Sequence, residues 1–324
     1  MPIHLIIGAG AGLVSAALFA SAGASPALAI VLFYLAPLPL CLAGLAWGSA
    51  AALVAALTGI ILVGVSIGPG AALVFAIVYA IPIVVLVRLI LLSRPFASPE
   101  GAASGVEWYP PGRLVGWAAV IAGLLASAVV MALWLKQGGY DEAVRTMFDQ
   151  TMLKVLDPDG TALTKETVEQ LATLIATALP AMLAIVWLTV SLFNLWLAGI
   201  IVDASGRALR PWPNLHDLEV PNAFVLVFAI ALALSFLPGL LGLLATGFAG
   251  AMLFAYVLQG LAVIHVYSLG VPFRGLLLAL VYLGILFLGW VAILVAIVGL
   301  GEPLFGLRAK SAGRGLPSKH DETD

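Results

Sequence analysis

The first 87 residues, Met1 to Val87, contain no Lys, Arg, Asp or Glu. Further uncharged runs cover Leu114–Leu135, Leu171–Val202, Val220–Phe273 and Gly275–Gly301. A helix crossing about 30 Å of hydrocarbon needs about 20 apolar residues. The first run is therefore long enough for four crossings, and Val220–Phe273 for two. None of the runs alternates with period two, as the strands of a membrane barrel would. With no water to satisfy backbone groups in lipid, helices are the expected element.

Breakers set the expected spans: 3–21, 27–46, 48–67, 71–92, 114–135, 170–202, 221–237, 241–269 and 275–299. Ser21–Pro26 closes the first, Gly68-Pro69-Gly70 the third, and Pro238-Gly239 separates the seventh from the eighth. Pro37 and Pro39 interrupt the second. The expected fold is an all-α polytopic transmembrane helix bundle of eight or nine spans, with eight if the seventh and eighth form a re-entrant pair.

The polar segments organise the rest. Residues 1–92 form a four-helix N-terminal region, and 93–112, rich in Pro, Ser and Gly, reads as a flexible loop. Residues 113–301 form a C-terminal membrane region with an acidic insert at 136–170. Within that insert Val144, Met147, Phe148, Thr151, Met152 and Val155 keep helical spacing, which predicts one amphipathic interfacial helix. Asp157-Pro158-Asp159-Gly160 predicts a turn, and Thr164 an N-cap. Residues 302–324 read as a disordered tail.

Composition sharpens this picture. Of 324 residues, 63% are hydrophobic and 9% charged, and the mean hydropathy is +1.17; a soluble domain has about 25% charged residues. The net charge of −2 and the lack of a basic patch argue against nucleic acid. The one cysteine, Cys41, lies in an apolar run, so neither a disulfide framework nor a metal site is expected. Arg88, Arg94, Arg113, Arg207, Arg210 and Arg274 fall in connections on one side of this topology, which predicts that side as cytoplasmic and 136–170 as external. The basic residues of the tail, Arg308, Lys310, Arg314 and Lys319, conflict with a nine-span count. The N-terminal segment lacks the positive start of a signal peptide. The expected location is the bacterial cytoplasmic (inner) membrane.

Chemistry-bearing motifs are sparse. Gly8-Ala9-Gly10-Ala11-Gly12 is followed by Leu13 where a dinucleotide loop needs Gly or Ala, and no acidic residue follows. Asp157–Gly160 lacks the alternating oxygen ligands of a calcium loop. No nucleophile–base pair is visible, so no catalytic residue, metal or cofactor is expected, and with no carboxylate inside a span, carboxylate-coupled ion transport is not expected either. Two other patterns stand out. Gly8, Gly12, Ala16 and Ala20 share one face of the first helix, a stripe for close helix packing inside the chain or for docking a partner. Trp187, Ser191 and Asn194 share a polar seam on the sixth helix, while Tyr256, Gln259 and His265 lie on the eighth. Each set reads either as interhelical hydrogen bonding or as the wall of a ligand cavity.

Gln259-Gly260-Leu261-Ala262-Val263-Ile264-His265 is followed by Pro272-Phe273-Arg274-Gly275, Tyr282-Leu283, Gly289-Trp290, Gly299-Leu300-Gly301 and Leu307-Arg308. Together with Asn194–Ala198, Ser205-Gly206-Arg207 and Arg210-Pro211-Trp212-Pro213, this order resembles the YybS-like family of uncharacterised bacterial membrane proteins over most of the chain. The family pattern has acidic residues before the Leu-Arg pair; Glu302 matches one, and Gly306 stands where another is expected. The resemblance implies a fold similar to the substrate-binding subunits of energy-coupling-factor vitamin transporters, which dock a partner through a small-residue stripe. It thus implies, besides the lipid bilayer, other membrane subunits and an ATP-hydrolysing partner. The expected function is a non-enzymatic subunit binding a small apolar or amphipathic molecule; the alternative is a membrane scaffold without such a ligand.

Overall fold

A computed structural model describes residues 3–21, 26–96, 105–136, 138–157 and 163–305. Among the described residues the regular structure is helical apart from one short hairpin. The helices are α1 (Ile3–Ala20), α2 (Pro26–Tyr34), α3 (Leu38–Trp47), α4 (Ser49–Ser66), α5 (Pro69–Phe75), α6 (Ile81–Ile90), α7 (Pro111–Trp134), α8 (Gly139–Met147), α9 (Leu153–Leu156), α10 (Lys165–Ala204), α11 (Asn222–Ser235), α12 (Leu240–Tyr267), α13 (Arg274–Leu288) and α14 (Trp290–Phe305). π-helical turns at Ala76–Ala80 and Phe148–Met152 join α5 to α6 and α8 to α9. Among the described residues, seven segments are long and apolar enough to cross a membrane: Ile3–Ala20, Ile30–Trp47, Ser49–Ser66, Pro69–Ile90, Pro111–Trp134, Lys165–Ala204 and Leu240–Tyr267.

Three expectations change. The span predicted over 275–299 is two helices, because Gly289, at φ 59°, breaks it. The loop predicted at 93–112 holds an antiparallel hairpin, β1 (Ser93–Phe96) on β2 (Gly105–Trp108), closed by an exposed Arg94–Glu107 ion pair at 2.7 Å. The tail predicted from 302 begins later, since α14 runs to Phe305 and buries Glu302. The expected disorder of 306–324, the breaker at 22–25 and the turn at 158–160 lie outside the described residues.

The insert also packs differently from its expected amphipathic face. Tyr140, Val144 and Phe148 are buried, whereas Met147, Met152 and Val155 are exposed. Tyr140 and Val144 join Val130 and Leu133, against Ile175, Leu179 and Leu243. The π turn at 148–152 holds one residue more than an α turn. It rotates everything after Phe148 off the stripe begun by Tyr140 and Val144.

The chain divides into two compact units. Unit 1 comprises 1–110, 124–129 and 182–213; unit 2 comprises 111–123, 130–181 and 214–324. In unit 1, α1 lies on α4 through its glycines. A Cβ on Gly8 would stand 2.7 Å from the Ala51 carbonyl oxygen, and one on Gly12 would stand 2.7 Å from the Thr58 Cβ. Ala16 is buried as well, while Ala20 is exposed. The Gly8/Gly12 groove, read from the sequence as packing inside the chain or as a docking face, is filled by α4 of the same chain. Gly12→Leu is therefore expected to force α1 from α4 and to destabilise unit 1 by about 1–3 kcal/mol, read as a lower melting temperature in detergent. Gly10→Leu is its control, as nothing lies within 4 Å of a Cβ at Gly10; equal losses for the two would refute the packing account.

Candidate functional site

Proline inside a helix removes the N–H that would bond the carbonyl four residues earlier. Three prolines sit inside continuous helical segments here, and each leaves one such carbonyl. Pro82 frees Val78, Pro180 frees Ala176, and Pro303 frees Gly299. Each receives a side-chain donor from another helix: Trp187 Nε1 donates to Val78 O at 2.7 Å, Tyr140 Oη to Ala176 O at 2.7 Å, and Gln259 Nε2 to Gly299 O at 2.8 Å. In lipid an unpaired carbonyl costs free energy that water would otherwise offset. These donors make the breaks tolerable at membrane depth.

The break between α2 and α3 follows the same logic. Pro37 and Pro39 cannot donate, so Phe33 O and Leu35 O take short-range bonds from Ala36 N at 3.2 Å and Leu38 N at 3.0 Å. Two neighbouring carbonyls are served from outside. Ser15 Oγ donates to Ala36 O at 2.6 Å, and Asn194 Nδ2 to Tyr34 O at 2.8 Å. Asn194 Nδ2 also donates to Val190 O of its own helix at 2.8 Å.

The seam Trp187–Ser191–Asn194 in unit 1 therefore faces two broken helices. Ser191 and Asn194 are each 1% exposed. After the bonds above, Asn194 Oδ1 and Ser191 Oγ, both buried, have no hydrogen-bond partner among the described residues. Around the breaks stands an aromatic wall. Phe33 lies 5.5 Å from Tyr79 and 5.4 Å from Phe19, and Phe75 lies 5.3 Å from Phe19, ring centre to ring centre. The site so defined has apolar walls, one unengaged acceptor and one unengaged hydroxyl.

The candidates on α12 belong to unit 2 and do not form a single cluster. Gln259 is fully buried and bridges two elements: its Oε1 accepts from Val220 N at 2.7 Å while its Nε2 serves Gly299. Both ends of the amide are thus engaged. Tyr256 is fully buried against the Phe228 ring, 5.7 Å between centres, and its hydroxyl has no hydrogen-bond partner among the described residues. His265 lies near the end of α12, half-buried. Its Nδ1–H donates to Leu261 O at 2.9 Å, and its ring stands 5.9 Å from Tyr282 and 6.2 Å from His216.

Ser15, Tyr140 and Arg210 were not among the candidate binding residues read from the sequence. For Tyr140 the signal was Pro180, which frees the Ala176 carbonyl and lies in no local window around Tyr140; for Ser15 it was the break between α2 and α3, whose Ala36 carbonyl it serves. Arg210, in the loop after α10, buries its guanidinium. Its Nη1 donates to Ile90 O at 2.8 Å and to Tyr109 O at 3.2 Å, and its plane lies 5.5 Å over Trp108. Burial pushes its pKa down from the ordinary value, yet arginine keeps its proton in any such setting. Ile90 ends α6, so the charge also meets the negative end of a helix dipole. Arg210 pins the loop to unit 1, beside a narrow crevice lined by Leu45, Gly199, Asp203 and Trp212.

Among the described residues no group of three or more His, Cys, Asp or Glu side chains could hold a metal. A family model described as predicted membrane protein, DUF2232, matches residues 13–301. No curated protein and no solved structure matches the chain.

Proposed function

The chain belongs to this family of predicted membrane proteins, and from that premise we propose that it is a non-enzymatic, multi-pass membrane subunit whose unit 1 binds a small amphipathic molecule at the broken helices. The observation that carries the proposal is the pair Ser191 Oγ and Asn194 Oδ1, buried, without partners, and set beside two helix breaks and an aromatic wall. Discontinuous helices are a recurrent way of building binding sites at membrane depth, because they bring backbone dipoles and polar side chains to one place. The chemistry favours a ligand with an apolar ring or chain and at least one N–H or O–H, which Asn194 Oδ1 would accept. Nothing in this arrangement supplies energy for uphill movement. Transport would need an ATP-hydrolysing partner, and the cytoplasmic side would be that of Arg88, Arg94 and Arg274 in a bacterial inner membrane.

Native mass spectrometry of the full chain, released from lipid nanodiscs, is the test. A non-lipid small molecule should accompany the wild type. Ser191→Ala should keep the fold and weaken retention about tenfold, the loss of one hydrogen bond of about 1.4 kcal/mol. Asn194→Asp, which keeps the size but changes the donors, should weaken it further. A wild type that carries lipid and water only, or an Ser191→Ala variant with retention unchanged, would overturn the reading.

A further inference from the structure

In unit 2, α12 and α14 run antiparallel in close contact. Gly260 lies against the Val295 carbonyl and Gly299 against that of Tyr256. Trp290, five residues before Val295, therefore lies level with the region of His265 on α12, at about 1.5 Å of rise per residue. The other end of α13 is at the same level: Arg274 Nε donates to Ser268 Oγ at 3.1 Å. Its middle is too, because the Tyr282 hydroxyl stands 3.5 Å from His265 Nε2. Fifteen residues of helix measure about 22 Å, yet α13 begins and ends at one level of α12. It crosses the end of α12 steeply instead of running alongside it.

That level lies beyond the starts of the neighbouring helices. Val220, just ahead of α11, is bonded to Gln259, and Gly112 at the start of α7 lies against Glu219. The last two turns of α12 thus project past the place where α7 and α11 begin, and α13 lies across them. From Gly275 to Leu288 every residue but Tyr282 is apolar or glycine, and none is buried. Leu276, Leu280, Leu283, Leu286 and Phe287 are all exposed by half or more. An interfacial helix normally keeps a polar face, and this one has none, so water suits no side of it. Its ends carry Arg274 and Trp290, and its middle Tyr282, residue types that sit at the edge of the hydrocarbon.

We propose that α13 is an in-plane helix sunk in the leaflet on the Arg274 side, with lipid as the occupant of its exposed faces, and that it is not a crossing. Its leucines lie among the acyl chains just beneath the headgroups. Arg274 and Tyr282 point back toward the polar cluster of His216, His265 and Ser268. The helix then widens the footprint of unit 2 in one leaflet only.

The test is depth. Single cysteines replace Leu276, Leu280, Leu283 and Phe287 in a Cys41→Ala background; each carries a nitroxide, and the full chain is reconstituted in phosphatidylcholine–phosphatidylglycerol vesicles. Immersion depth follows from the balance of relaxation by oxygen and by a water-soluble nickel complex. The four labels should lie within about one helical turn, about 5 Å, of a common depth. A crossing helix would separate the first from the last by about 16 Å, and that gradient would overturn the proposal. So would labels open to the nickel complex alone, or labels shielded from both relaxants with spin–spin broadening, which would place a second copy of the chain on α13. These positions are exposed, so the labels should fold with the parent; Leu277→Cys and Leu288→Cys repeat the comparison on another face.

Discussion

Replacing Gln259 with leucine is expected to destabilise unit 2 by about 3–5 kcal/mol. The side chain is fully buried and holds two backbone groups at once, Val220 N–H and Gly299 O. Leucine fills a similar volume, so little is lost in packing. The cost is polar. An interhelical hydrogen bond in a membrane averages about 0.6 kcal/mol and reaches about 1.7, because the separated helix also finds partners. Gly299 O is worth the upper end, since Pro303 denies it a partner in its own helix whether or not α14 is docked. The Val220 N–H precedes α11 and has no turn of its own to bond; leaving it buried costs about 1–3 kcal/mol. Gln259→Glu separates the two contacts. An ionised carboxylate accepts from Val220 but cannot donate to Gly299 and buries an unpaired charge, so the variant in its ionised form should be at least as unstable as Gln259→Leu. Protonating the carboxylate supplies a donor for Gly299, so the variant should recover stability as the pH falls. Unfolding in detergent, followed by circular dichroism across pH, reads both. A Gln259→Leu protein as stable as wild type would show that the bridge carries little, and that the site is free for another role.

The helical architecture was legible because it rests on long uncharged runs, and the stripe Gly8/Gly12 because small residues four apart leave only a groove. What was not legible followed from bonds between distant positions. Trp187, Asn194 and Gln259 stood out as polar-bearing side chains in apolar segments. A window around each could not show that Val78, Tyr34 and Gly299 had been left unpaired elsewhere. For Val78 and Gly299 the information was present as a rule, because each internal proline names the carbonyl four residues before it; Tyr34 O falls outside the rule, since the residue four on is Leu38, whose N–H turns to Leu35 O. What the rule does not name is the donor, which tertiary packing selects from several candidates. Local periodicity failed where the backbone changed pitch. The π turn at 148–152 shifted the stripe that Val144 had begun. Gly289 broke a run whose hydropathy was uniform on both sides. Glycine is tolerated inside membrane helices, so only the backbone at Gly289, at φ 59°, shows that α14 starts anew. The open acceptor of Asn194 was not legible in the sequence, since the other end of the same amide is engaged by Tyr34 and Val190.

Gly260→Val is expected to have an effect as large as that of Gln259→Leu by a different route. A Cβ built on Gly260 falls on the carbonyl oxygen and carbon of Val295, and one on Gly299 falls on the carbonyl of Tyr256. Both obstructions are backbone, so no side chain can swing aside; α14 itself must move. Overpacking of this kind costs about 1–3 kcal/mol where side chains can yield, and a backbone carbonyl yields less, so the upper end or more is expected. Even Gly260→Ala should be costly, although alanine is the better helix former by about 1 kcal/mol. Gly275→Ala provides the internal contrast. Nothing lies within 4 Å of its Cβ, and it should be neutral or slightly stabilising. The two routes meet at α14. Displacing α14 from Gly260 pulls Gly299 O away from Gln259 Nε2, so the second mutation acts on a bond the first has already broken. The double variant Gln259→Leu/Gly260→Val should therefore lose clearly less than the sum of the single losses, by about 1 kcal/mol or more, as contacts sharing one element do. Strict additivity in the melting data would mean that Gln259 holds Val220 alone, and that α14 is kept against α12 by the glycine contacts without the bridge.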